Sequence, residues 1–103
     1  MQKYDIYWAR FVFDDDPDKY KVRPCLILSP REGLPLGAKI TKHPPREITK
    51  RSDYLIKDFT AAGLSQASTI RLSQKQRIRP LDKIGHLSKE DEIEVEKILR
   101  RKQ

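Results

Sequence analysis

Arg23 stands directly before Pro24, at the head of the apolar run Cys25-Leu26-Ile27-Leu28. A proline there stiffens the backbone, so the guanidinium can present a fixed fork of donors to a phosphate. In that position it would stabilise negative charge building on a phosphorane-like transition state. Its high pKa makes it a poor general base. The same side chain could instead be a structural cation, paired with Asp5 or with a carboxylate between Asp14 and Asp18, and from the residues alone the two readings are even. His43 is the other group whose ordinary titration range suits proton transfer near neutrality. It follows Thr41 and Lys42 and precedes Pro44-Pro45. A lone histidine is more often not catalytic, and a threonine in a strand carries no chemical message by itself.

The charges around these residues are lopsided. Between Tyr20 and Arg51, Lys21, Arg23, Arg31, Lys39, Lys42, Arg46, Lys50 and Arg51 face only Glu32 and Glu47. Convergence of several of them on one groove would attract phosphates and make binding salt-dependent. An ordinary solvated surface is the plainer reading of any single member. The whole chain carries a net charge of +7 over 103 residues, with a pI near 9.7, which points to an acidic partner, nucleic acid or protein. There is no glycine-rich phosphate loop, no zinc spacing of Cys and His and no nucleophile elbow, and no cofactor is implied. The acidic Asp14-Asp15-Asp16-Pro17-Asp18 run lacks the glycine and glutamate offsets of a calcium loop, so it reads as a solvated turn, and no metal site is expected. Cys25 lies inside the apolar run and reads as a buried small hydrophobe without a local base. A single cysteine suits a reducing compartment. Met1–Asp5 shows no apolar signal core, and no stretch is long enough to span a bilayer. Those features predict a cytoplasmic protein without a membrane partner.

The elements that must position these groups are short strands. Apolar content of 37 % supplies one modest core, so a single domain over 1–103 is expected. Tyr4 to Phe13 is aromatic and β-branched on both faces, which predicts a strand buried on both sides for part of its length. Trp8, Tyr4 and Tyr7 could stack on bases, although strand aromatics are more often core. Val22 to Ser29 reads as a central strand with Pro24 near its start. Ala38–Thr41, Tyr54–Ile56, Ser68–Leu72 and Ile78–Ile84 read as further extended segments. Asp58 to Gly63 can hold one helical turn stopped by the glycine. His86 follows Gly85 in a turn and reads as surface filler. From Ser88 the pattern becomes helical: Ser88 can cap, acidic residues at 90–92 suit the positive end of the dipole, and Val95, Ile98 and Leu99 form a stripe.

In order along the chain, these pieces resemble the MazF/PemK toxin family. Tyr4-Asp5-Ile6-Tyr7-Trp8-Ala9-Arg10-Phe11 is similar to its opening strand. Val22-Arg23-Pro24-Cys25-Leu26-Ile27-Leu28-Ser29 is similar to its hallmark, an Arg-Pro leading an apolar strand that ends in serine. Ala38-Lys39-Ile40-Thr41 fits the strand that carries a catalytic threonine. Ala62-Gly63-Leu64, Ser68-Thr69-Ile70-Arg71-Leu72 and Gln74 with Ile78 match the later strand, and Ile84-Gly85-His86-Leu87-Ser88 with the final helix matches the close. The resemblance implies a mostly-β, small SH3-like barrel with a C-terminal α-helix, a homodimer, and metal-independent cleavage of single-stranded RNA by attack of a 2′-hydroxyl. It makes Arg23 and Thr41 the catalytic residues and has Gln74 help hold RNA; Lys42, His43, Arg46 and Arg71 are expected to bind RNA beside them. It also implies an acidic antitoxin protein that competes with RNA for the basic groove. The chain departs from the pattern where Asp18-Lys19-Tyr20-Lys21 replaces a common Glu-Gln-x-Gly, where Arg10 replaces an acidic residue, and where Lys42 replaces a small or polar one. Two other readings use the same scaffold: a non-catalytic nucleic-acid or antitoxin-binding module, and a gyrase-directed toxin of the CcdB type. The basic Arg100-Arg101-Lys102-Gln103 end does not resemble the apolar, aromatic tail of the latter.

Overall fold

Six strands precede one helix in the computed structural model, which describes residues 1–13, 16–31, 33–45 and 52–101. They are β1 (Asp5–Phe13), β2 (Asp16–Ser29), β3 (Leu36–Thr41), β4 (Asp53–Leu55), β5 (Thr69–Arg77), β6 (Arg79–His86) and α1 (Lys89–Arg101). Every strand pair is antiparallel, in the order β4-β5-β3-β2-β1-β6. The expected class, mostly β with a C-terminal helix, is what the chain adopts. The described strands do not close into a barrel, because β4 and β6 remain the two edges of one sheet. The sheet nevertheless curls strongly. Ile78 alone joins β5 to β6, which lie second and last in the strand order. One residue spans only about 3.5 Å, so the sheet must bend back to bring those strand ends together.

Alternation on the central strands builds a core on each face of the sheet. Tyr4, Ile6, Leu26, Leu28, Ala38 and Ile40 point to one face, where Val95 and Ile98 of α1 join them, with Ile56 and Ala62 from the segment after β4. Tyr7, Ala9, Phe11, Cys25 and Ile27 point to the other, with Ile78. Helix and turn thus complete the burial on the first face without strand closure. Each large side chain sealed in this way contributes about 1.5–3 kcal/mol before chain entropy is set against it. Cys25 is fully buried, and burial pushes its thiol up to about 12, so it is a neutral core residue as its sequence setting indicates.

Two strands are longer than their apolar patterns. β2 begins at Asp16, so Asp16–Asp18 belong to a strand, not to the expected turn; Asp14 and Asp15 lie outside the described residues. Pairing to β1 carries it past Val22, through Val12–Tyr20 to Phe13–Asp16. Backbone ladders need no apolar side chains, which is why the sequence pattern does not register them. β5 likewise runs on to Arg77. Its pairing with β3 passes from Lys39–Arg71 to Ala38–Lys75, so β5 advances four residues while β3 advances one. This bulge lets the polar Ser73-Gln74-Lys75 stretch continue the strand. α1 opens as expected: the Asp91 N–H donates to Ser88 Oγ at 3.2 Å. The helix is the only one described, and it is not long and apolar enough to cross a membrane.

Candidate active site

β2 and β3 stop pairing at Cys25–Lys39. Two residues further out on each strand lie Arg23 and Thr41. A cleft of about 430 Å³ opens there, lined by Val22, Arg23 and Pro24 from β2 and by Ile40, Thr41 and Lys42 from the end of β3. Trp8 of β1, Ile84 of β6 and the Gly63–Gln66 loop with Ser68 complete the lining. None of the lining residues is acidic. Among the described residues no carboxylate makes an ion pair with Arg23 or Lys42. Asp5, one of the alternative partners for Arg23, is engaged by His86 and Lys83 instead. The cleft is therefore cationic, and half-buried Arg23 and half-buried Thr41 both line it. The Thr41 Oγ1 accepts the His43 backbone N–H at 3.4 Å, a long bond in the turn that ends β3.

The loop that closes the cleft is fixed from behind. Its lead-in is the turn foreseen at Asp58–Gly63: the Ala62 N–H donates to the Asp58 carbonyl at 3.3 Å, the Leu64 N–H to the Phe59 carbonyl at 2.9 Å, and Gly63 takes a left-handed φ of 86°. Fully buried Asp91 of α1 accepts the backbone N–H groups of Lys57 and Asp58 at 3.0 and 3.1 Å. It also accepts the Tyr54 hydroxyl at 2.5 Å and the Ser88 hydroxyl at 2.9 Å. Burial alone would raise the Asp91 pKa, but these donors outweigh it and hold the carboxyl below its usual range. β6 presses on the same turn. A Cβ on Gly85 would lie 2.2 Å from the Ala62 carbonyl oxygen, so only glycine lets the two backbones meet. Gly85→Ala is expected to lower stability by roughly 1–3 kcal/mol, read as an earlier thermal midpoint; an unchanged midpoint would mean the turn can move aside freely.

Of the residues singled out from the sequence, Arg23, Thr41 and Lys42 come together in this cleft. His43 is exposed in the adjoining turn. Arg46 lies outside the described residues, as do Lys50 and Arg51 of the basic cluster. Lys21 and Arg31 are exposed and Lys39 is half-buried, and none of these three lines the cleft. Gln74 is exposed in the β5 bulge and does not line it. Arg71 is sealed in the interior, its Nη1 2.6 Å from Asp53 Oδ2, where it cannot present a fork at the surface. It faces Asp53 directly across the β4–β5 ladder, a pairing invisible along the chain because the partners are 18 residues apart. Sequence reasoning did not mark Ser65 and Gln66 as site residues. The one available signal was a polar pair in a loop just after a glycine.

His86 corrects another expectation. It is no surface filler: its Nδ1 is 2.7 Å from Asp5 Oδ1 and its Nε2 2.5 Å from Glu92 Oε1. The ring therefore ties β1 and β6 to α1. The Asp5 carboxylate is the main cause that raises the His86 pKa, against an opposing effect of burial. Burial would raise the Asp5 pKa too, but His86, the Gln2 N–H and Lys83 together hold it below the carboxylate range. A histidine raised on folding contributes stability that is complete below its unfolded pKa, about 6.5, and is lost as pH rises through the folded value. Asp5 contributes above its unfolded value and loses that contribution in acid. Stability is thus expected to decline above pH ~6.5, and His86→Gln to flatten that limb. Denaturant titrations from pH 6 to 9 check this, and parallel slopes for the two proteins would count against the clamp.

The model of the PemK-like, MazF-like toxins of type II toxin–antitoxin systems matches residues 2–102. No curated protein matches the chain significantly. The family match covers nearly every residue, from the strand that bears Trp8 through the Arg23 and Thr41 strands to the closing helix. The chain therefore belongs to the PemK-like, MazF-like toxin family of type II toxin–antitoxin systems.

Proposed function

We propose that the protein is a metal-independent endoribonuclease toxin that cuts single-stranded RNA in the cytoplasm as a homodimer. One observation carries the reading: Arg23 and Thr41, on separate strands, line one cationic cleft with no carboxylate among its described lining residues. In the proposed reaction a ribose 2′-hydroxyl attacks the adjacent phosphorus. The P–O2′ bond forms, the P–O5′ bond breaks, and the 2′-hydroxyl proton ends on the departing 5′-oxygen. The products are a 2′,3′-cyclic phosphate and a 5′-hydroxyl. Negative charge grows on the non-bridging oxygens, where the Arg23 fork meets it. The Thr41 hydroxyl orients the phosphate, and Lys42 supplies charge that holds the strand. Requiring a 2′-hydroxyl as nucleophile separates RNA from DNA.

Family membership brings an antitoxin partner. An acidic segment of that partner would occupy the same charges and so exclude RNA. The test is incubation of the purified protein with a long single-stranded RNA in excess EDTA. Discrete fragments ending in 2′,3′-cyclic phosphate are expected, while intact RNA with folded, antitoxin-free protein would sink the reading. Thr41→Val keeps the shape and removes the hydroxyl. It is expected to slow cleavage about tenfold or more, the value of one lost hydrogen bond to a charged group; wild-type rates would remove Thr41 from the mechanism.

A further inference from the structure

Trp8 is the chain's one tryptophan, and its place is unusual. Ile6 and Ala9 beside it on β1 are completely buried, yet Trp8 is 43 % exposed. An indole left in water forgoes one of the largest burial gains any side chain offers, so its exposure calls for a ligand or a reason. It stands opposite Pro24 in the β1–β2 register, next to Arg23, and lines the same cleft as Lys42. Across the cleft, the loop backbone is tied down. Ser68 Oγ donates to the Gln66 carbonyl at 2.9 Å, and the Ile56 N–H donates to the Ser68 carbonyl at 3.0 Å. The Ser65 and Gln66 side chains on that fixed loop stay exposed. A flat π surface, two cations for phosphate, and an exposed amide and hydroxyl carried on a tied loop backbone match an unpaired nucleobase on its sugar-phosphate strand. Base–aromatic stacking tolerates any base, whereas an amide side chain discriminates by the donors and acceptors on the base edge. An acidic peptide would use the cations and leave both the indole face and the amide without a role.

We propose that Trp8 is the stacking platform for an unpaired base and that Ser65 and Gln66 read that base's edge, making this end of the cleft the subsite that selects the nucleotide. The inference rests on the nuclease reading for its substrate class. The test uses 2′-deoxy strands, which lack the nucleophile, so binding is read apart from cleavage. Single-composition strands of each of the four bases are compared with an abasic strand of equal length and charge. The lone tryptophan reports occupancy directly through its fluorescence. Wild-type protein is expected to prefer its best base-bearing strand over the abasic one roughly ten- to a hundredfold, with saturable quenching of Trp8. Trp8→Ala is expected to lose that preference and Trp8→Phe to keep much of it, each judged on protein that melts cooperatively. Gln66→Ala is expected to change the ranking of the four bases. Equal binding of base-bearing and abasic strands by wild type, or full preference in Trp8→Ala, overturns the subsite even if RNA is cut. Base preference that depends on Trp8 supports it even if RNA is not cut, and only the cleavage reading then falls.

Discussion

Arg23→Ala is expected to lower RNA cleavage roughly a hundred- to a thousandfold, the scale set by removing one pre-placed donor from a developing oxyanion. The fold should survive the change. Arg23 is half-buried at the rim where β2 and β3 separate, and no described carboxylate pairs with it, so its removal strands no buried charge. Arg23→Lys sharpens the test. Lysine retains the positive charge but loses the planar fork, so it should restore RNA affinity more than it restores rate. Cleavage in EDTA and strand binding, measured on the same preparations, separate the two effects. A fully active Arg23→Ala protein would show that charge in the cleft comes from elsewhere, and the phosphate would have to be placed against Lys42 instead.

Asp91→Ala is expected to be the most destabilising single change among the polar residues. It leaves two backbone N–H groups and two hydroxyls without their acceptor in a fully buried setting. Leaving several buried donors unsatisfied in this way costs about 3–5 kcal/mol in total, a fall of roughly 12–30 °C in thermal midpoint for a chain of this size. Asp91→Asn should fall between, because one acceptor oxygen is kept while the new amide meets an existing donor. The Asp91 carboxyl is held low in the folded protein. Its contribution is present above the unfolded carboxylate pKa and lost as pH falls through the folded one, so Asp91→Asn should also blunt acid unfolding. Thermal melts followed by far-ultraviolet circular dichroism measure both. Activity should fall with stability, since Asp91 anchors the Lys57–Asp58 segment that leads into the cleft loop. A melt like that of the wild type would mean the loop is held by its own turn.

These two residues were unequally legible. Arg23 announces itself through its neighbours Pro24 and Cys25–Leu28, all contiguous in the chain. Asp91 looked like any acidic residue in a first helical turn, and only its position near the positive end of the dipole could be read. Its other partners, Tyr54, Lys57 and Asp58, lie more than thirty residues away. The surroundings of His86 and Arg71 are illegible along the chain for the same reason: their carboxylate partners, Asp5 and Asp53, reach them through strand pairing. Trp8 shows the converse. Alternation assigns it the same face as Ile6, but the curl of the sheet and the end of β3 leave that stretch of the face uncovered.

The sequence by itself determined what local chemistry can encode. Period-two runs placed the strands, Ser88 and the acidic turn placed the helix, the single cysteine was marked as core, and the ordered Arg-Pro, Ala-Lys-Ile-Thr and Gly-Leu segments carried the family. Those signals act between near neighbours, so one chain suffices to read them. Tertiary structure alone decided which cations share a cleft, which arginine is sealed against Asp53, where β2 and β5 extend through polar residues, and that the six described strands curl without closing. Each of these depends on register and on contacts between distant segments. Register is set by the summed burial of both faces and by backbone ladders that leave no mark on side-chain pattern.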